Sequence, residues 1–292
     1  MSEIYELWKL NIPQLYGLPD FALDDAGVDG QGNVYVTDSI NSRVYKFSPN
    51  SIPMGSFEID CPTSSGEDAS LISIAVDTYS NFYVTDTTNG YILKYDESGK
   101  LSNKYWAPNV ITIGCNVHGM IYAFSKHGAI ERIDCFDYSG NLTDVLPVPS
   151  RGNAHTDPSL LNIDVDLYGN VYLSDGMPPY RIWRIRADGS GTDIFRRHID
   201  HPEDAILITD IGVDIANGNI YALLARKQAG RQILDCFSPR GEYLGIMEVP
   251  HSEMLYSIMC PGGDAGIYFL DNSTGPGAGE LMCTSTHQQH HG

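Results

Sequence analysis

AGVDGQGNVYVTDSINSRVYKF (Ala26–Phe47) and IAVDTYSNFYVTDTTNGYILKY (Ile74–Tyr95) are two copies of one pattern. Each opens on an apolar run that ends in Val-Asp and passes through a turn of Gly, Asn or Ser. Each then enters a second run carrying Tyr-Val-Thr-Asp, and a further turn and a third run follow. Apolar and polar residues alternate with period two, and turn residues interrupt them every few positions. That pattern makes short β-strands and excludes a helical array.

Four weaker copies extend the series: Ile113–Phe136, Ile163–Ile185, Ile211–Phe237 and Ile258–Cys283. One tyrosine anchors each unit: Tyr35, Tyr83, Tyr122, Tyr172, Tyr221 and Tyr268. Successive anchors stand about 40–50 residues apart, the spacing of propeller blades. Each unit supplies four strands, the last following a turn such as Glu97-Ser98-Gly99. The sixth unit runs out of chain after its third strand, near Glu280–Thr284. The segment Ile4–Leu10 is strand-like and otherwise unassigned, so it is expected to close the ring as the missing outer strand. The expected fold is all-β, a six-bladed β-propeller forming a single domain over residues 1–292.

The formal net charge of -19 repels phosphate backbones, which argues against nucleic acid as a partner. It either keeps the chain soluble or attracts cations and cationic partners. No apolar run reaches the roughly 18–20 residues of a membrane span. Met1–Leu10 lacks the basic start and apolar stretch of a signal peptide, so the expected location is cytoplasmic, with no membrane partner. Cys61, Cys115, Cys135, Cys236, Cys260 and Cys283 form no CxxC pair, which removes zinc-ribbon and redox-dithiol readings. There is no P-loop, Rossmann glycine fingerprint, HExxH or Gly-x-Ser-x-Gly elbow.

Gly32–Asp38 (GNVYVTD) with Asn41-Ser42-Arg43-Val44 resembles the NHL repeat, as do Ile74–Asp77 with Tyr83–Asp86, and Ile163–Asp166 with Gly169–Asp175. The resemblance spans nearly the whole chain and implies a propeller. It implies no single function, because similar propellers include protein-binding scaffolds, RNA binders, sensors and enzymes. The gluconolactonase-like and strictosidine-synthase-like groups are among them.

Two sets of inner-strand residues are candidates for chemistry. Asp29, Asp77, Asn116, Asp166, Asp214 and Pro261 align before the first turn, where short polar side chains cap turns. Four positions upstream, Asp25, Ser73, Thr112, Asn162, Asp210 and Ser257 form a polar ring. Alternation is read as turning this ring toward the channel, with Gly27, Ala75, Gly114 and Gly212 leaving space beside it. Asp25, Asn162, Asp164 and Asp210 are the candidate ligands for Ca²⁺ or another divalent cation, as an oxygen-rich set suits a hard ion. A ring bonded to channel water is the alternative. His155, His201 and His251 lie in segments joining one blade to the next, and are the candidate proton carriers. His198 shares such a segment, and His127 lies between a second and a third strand. The stretch Pro147–Ser159 is a candidate lid.

Three functions remain open. One is a small-molecule hydrolase or lyase, divalent-metal-assisted, at the channel mouth. Another is a non-catalytic scaffold that binds a protein partner. The third is a metal-free acid–base cyclase or isomerase.

Overall fold

The computed structural model describes residues 4–59, 71–148, 163–174, 181–196, 205–226, 232–250, 256, 258–271, 273 and 278–285. Among these, six four-stranded antiparallel sheets form, each in simple up-and-down order from inner to outer strand. The fold is a six-bladed β-propeller. The inner strands are Leu23–Val28, Leu71–Val76, Val110–Cys115, Ile163–Val165, Ala205–Val213 and Ile258–Pro261.

Ring closure follows the sequence expectation. Tyr5–Asn11 pairs antiparallel with Glu280–Ser285 and becomes the outer strand of blade 6. Trp8 packs on Tyr268 at 5.9 Å and donates from Nε1 to the Pro49 carbonyl of blade 1 at 2.7 Å. A short helix, Ile12–Tyr16, follows, capped by the Asn11 side chain and started by Pro13. Closure leaves no unpaired strand edge in that blade's interior.

The core is divided into six apolar clusters, one at each seam between neighbouring blades. Every anchor tyrosine is buried in one of them. Their hydroxyls explain why tyrosine and not phenylalanine recurs. Tyr35, Tyr83 and Tyr172 donate to Asp29, Asp77 and Asp166 at 3.3, 3.2 and 3.1 Å. Tyr268 instead donates across the closure seam to the Gly32 carbonyl at 2.7 Å. A buried phenol without such a partner would be costly.

The turn-capping role expected for the aspartates holds. Asp29 Oδ1 accepts the backbone N–H of Gln31 and Asn33, and Asp77 and Asp166 repeat this geometry. Gly32 supplies the left-handed residue of the blade 1 turn at φ 79°; in blade 2 Ser80 adopts φ 64° in its place.

Blade 6 departs from the expected alignment. Cys260 pairs with Tyr268, and Gly262 N–H reaches the Gly266 carbonyl as Asp29 N–H reaches that of Asn33. Gly262, and not Pro261, therefore occupies the turn-capping position. The turn has no extra residue, and one position of slip moves every side chain to the opposite face.

Candidate active site in the channel

Each of four inner strands begins irregularly. The pairing shifts between Leu23 and Ala26, between Leu71 and Ile74, between Val110 and Thr112, and between Ile208 and Asp210. These are bulges, which re-aim side chains. In blades 1 and 2 the bulged N–H groups of Asp25 and Ser73 are taken by the Thr37 and Thr85 hydroxyls, both at 3.0 Å. The adjoining Asp38 and Asp86 cap the next turn, accepting from Asn41 and Asn89. The Thr-Asp of the repeat motif thus satisfies one bulge and one turn.

Asp25, Ser73 and Asp210 of the polar ring, and Asp164 two residues past the ring position in blade 4, are aimed at the next blade. Asp25 Oδ2 accepts from Ile74 N–H at 2.9 Å, Asp164 Oδ2 from Val213 N–H at 2.6 Å, and Asp210 Oδ2 from Met259 N–H at 2.6 Å. The other oxygen of each accepts the N–H of the following residue, Ala26, Val165 or Ile211. Ser73 Oγ plays the same part between blades 2 and 3, accepting from Ile113 N–H at 3.2 Å. The carboxylates are staples between inner strands, and they form part of the channel wall at the same time.

The small residues beside them have a different role from the one expected. A Cβ on Gly27 would stand 2.9 Å from Val76 Cγ2, on Gly114 2.8 Å from Val165 Cγ2, and on Gly212 2.5 Å from Pro261 Cδ. These glycines let adjacent inner strands approach; they do not open the channel.

What remains open is a cavity of about 110 Å³. Its wall includes Asp25, Thr112, Cys115, Asp164, Asp210 and Cys260, and no lysine or arginine among the described residues. It has room for several waters or the reacting end of a small molecule, not for a drug-sized ligand.

Desolvation deep in the ring dominates the electrostatics. It raises Asp25 to about 6, against the opposing bonds from Ile74, Ser73 and Ala26. It raises Asp164 to about 7, with bonds from Val213 and Val165 opposing and the charges of Asp25 and Asp166 adding to the rise. Asp24, beside Asp25 on the bulge, is raised to about 7 by the same burial. Burial also pushes the Cys115 and Cys260 thiols well above their usual range, which makes them inert as nucleophiles.

These shifts set a pH dependence. Between pH 3.8 and about 7 the folded chain holds protons on these carboxyls that the unfolded chain has released. Their stabilising contribution is complete below the unfolded value and is lost as pH rises through the folded ones. Asp96, Asp137 and Asp188 are lowered, chiefly by side-chain hydrogen bonds, and act in the opposite sense at low pH. Thermal melting at constant ionic strength is expected to show a falling Tm from pH 5 to 7.5. Asp164→Asn should flatten that slope, and an unchanged slope would contradict this assignment.

Of the sequence candidates, Asp25, Asp164 and Asp210 meet on one cavity. Asn162, His155, His198, His201 and His251 lie outside the described residues, as do Ser257 and positions 149–159 of the candidate lid. His127 lies away from the cavity wall, its Nε2 3.9 Å from Asp134 Oδ2. The sequence pattern did not single out Cys115 and Cys260 as wall residues.

The described carboxylates do not fit a divalent ion by themselves. Each of their oxygens already accepts one backbone N–H, and Asp25 Oδ2 the Ser73 hydroxyl as well, so at most one lone pair per oxygen remains for a proton or another ligand. Among the described residues no three His, Cys, Asp or Glu side chains converge as a metal cage requires. No helix among them is long and apolar enough to cross a membrane.

No protein-family model and no curated protein matches the chain. Solved structures do. A streptogramin B lyase aligns at 14% identity and TM-score 0.61, over 98% of this chain and 88% of its own. The calcium-binding protein regucalcin from Agrobacterium tumefaciens aligns at 14% and 0.58, over 91% and 92%. A putative gluconolactonase aligns at 12% and 0.56, over 97% and 92%. At these identities the likeness is one of fold: the chain is similar to solved structures whose names include a lyase, a calcium-binding protein and a putative lactonase.

Proposed function

We propose that the chain is a small-molecule lyase or hydrolase that works by acid–base chemistry at the carboxyl-lined end of its channel. One observation carries this reading. Asp25 and Asp164 share a cavity in which burial raises them to about 6 and about 7, so both protonation states are available near neutral pH. Such groups give and take protons efficiently, because their affinity is matched to the medium.

In this reading the ionised carboxylate takes a proton from the substrate or from an attacking water. The protonated one gives a proton to the leaving oxygen. One proton is accepted and one delivered, so the site ends the cycle needing only an exchange between the two carboxyls. His155, His201 and His251 are proposed as carriers for that exchange, since their segments lead into inner strands. A divalent ion would require Asn162 or these histidines in addition to the three carboxylates, and no metal-dependent step follows from the described side chains.

The test is turnover of a panel containing aldonolactones, aryl esters and a streptogramin B antibiotic, classes suggested by the names of the similar structures. Turnover of one class is expected, with kcat/KM falling about 100-fold or more in Asp164→Asn. His201→Ala should lower kcat with a changed pH profile. Absence of turnover across the panel, with no loss in these variants to measure, would remove the catalytic reading and leave the scaffold.

A further inference from the structure

The wall of the cavity contains a hydrogen-bonded chain that crosses two seams. Ser73 Oγ donates to Asp25 Oδ2 at 2.8 Å. The same Oγ accepts from Ile113 N–H at 3.2 Å and lies 3.1 Å from Thr112 Oγ1. Ser73 and Thr112 are 2% and 5% exposed, so water does not satisfy them from outside the cavity. Thr112 lines the cavity, whereas Ser73 is buried and does not.

Counting protons fixes the direction of this chain. A carboxylate only accepts, so the single Ser73 proton goes to Asp25. Ile113 occupies one lone pair of Ser73. The contact with Thr112 must then use the other, with Thr112 as donor. Its one proton is thereby spent inside the wall, and toward the cavity Thr112 Oγ1 has lone pairs alone. At the seams of Asp164 and Asp210 the carboxylate reaches the neighbouring N–H directly.

We infer that Thr112 is a specificity-determining residue that accepts but cannot donate, and that the cavity therefore selects a ligand whose buried end is a hydrogen-bond donor, in particular a primary ammonium group. Charge agrees with this. Three carboxyl groups and no described lysine or arginine line the wall, so an anionic end is repelled and a cationic one attracted. The inference rests on the channel site proposed above but not on its catalysis, because it concerns binding alone. The titratable groups facing Asp25 are Asp24 on its own strand, Asp164 across the channel and Cys260 of blade 6. None of them changes in the variants below.

The experiment is NMR titration of the Thr112 and Ile113 resonances at pH 8, where Asp25 is ionised, with three probes: ethylammonium, tetramethylammonium and acetone. Ethylammonium is expected to bind at least about 10-fold more tightly than either other probe. Tetramethylammonium has the charge without the N–H donors, and acetone is an acceptor alone. Thr112→Val should abolish the preference over tetramethylammonium, leaving the charge preference over acetone, and Thr112→Ser should keep both; Thr112→Ala replaces the valine variant if that one does not fold. Ser73→Ala is the decisive variant. It touches no ligand, yet it frees the Thr112 proton to turn into the cavity, so acetone should gain affinity relative to ethylammonium. Equal binding of the three probes to the wild type, or unchanged preference in Ser73→Ala, would overturn the inference. Failure of every substrate in the turnover panel would leave this binding result standing, so the two readings fail separately.

Discussion

Removing residues 1–11 is expected to abolish cooperative unfolding of the ring. Those residues supply the outer strand of blade 6, paired from Tyr5↔Ser285 to Asn11↔Glu280. Without them the strand Glu280–Ser285 becomes an open edge, and Leu281, Met282 and Cys283, each 0% exposed, lose their cover. Truncation strips Trp8 from Tyr268 and from the Pro49 carbonyl. It also breaks the 2.9 Å ion pair of Lys9 with Glu280 and takes Leu10 out of the closure cluster. Fully burying a large apolar side chain contributes about 1.5–3 kcal/mol, so Trp8 and Leu10, both partly buried, contribute together at most about 3–6 kcal/mol, a large share of an ordinary domain's stability. An exposed edge also invites pairing with another chain. The truncated protein should show no sigmoidal urea transition by tryptophan fluorescence and should associate with itself. A synthetic peptide of residues 1–12 added in trans should restore the transition, since an open edge accepts a strand. An unchanged urea midpoint in the truncated chain would refute this account of closure.

The same closure was legible in the sequence for a simple reason. A repeat counted by its tyrosines leaves one strand missing at the end and one to spare at the start, and only pairing satisfies both. Blade number, strand order and the turn-capping aspartates followed from period two and from short polar residues before turns. The site was legible in composition but not in direction. Alternation puts Asp25 and Gly27 on one face, but it could not say that this face meets the next blade. That depends on how closely the inner strands approach, and the glycines at 27, 114 and 212 set that distance. The slip in blade 6 has a similar origin: Gly262-Gly263-Asp264-Ala265-Gly266 can be read with six or seven residues before Tyr268, and backbone pairing decides. The chain from Asp25 through Ser73 to Thr112 joins residues 48 and 39 positions apart on three blades, so no local pattern announces it. The Thr-Asp pair of Thr37-Asp38 and Thr85-Asp86 was the available clue, because a buried threonine beside a turn-capping aspartate implies an unpaired N–H nearby.

Asp29→Ala is expected to cost about 3–5 kcal/mol, which is a large share of total stability. Asp29 is 1% exposed and is the hub of its seam. Its Oδ1 takes the N–H groups of Gln31 and Asn33; its Oδ2 takes the Asn33 amide, the Tyr35 hydroxyl and, from blade 2, the Ser80 hydroxyl at 2.8 Å. Lys46 Nζ stands 3.7 Å away, with its side chain 10% exposed, and lies 4.8 Å from the Tyr35 ring. Alanine leaves two backbone donors, an amide and a buried ammonium without their acceptor, and each such group keeps its desolvation penalty. Asp29→Asn should cost about half as much. Its oxygen still serves Gln31 and Asn33, while its NH2 forces the Tyr35 and Ser80 hydroxyls to turn and accept. Asp96 makes the same kind of turn, accepting the N–H groups of Ser98 and Lys100, but at the surface. Asp96→Ala should therefore move the urea midpoint far less than Asp29→Ala. If both alanine variants shifted the midpoint equally, the aspartates would act as local turn caps alone, and the binding of blade 1 to blade 2 through Asp29 and Ser80 would contribute nothing measurable.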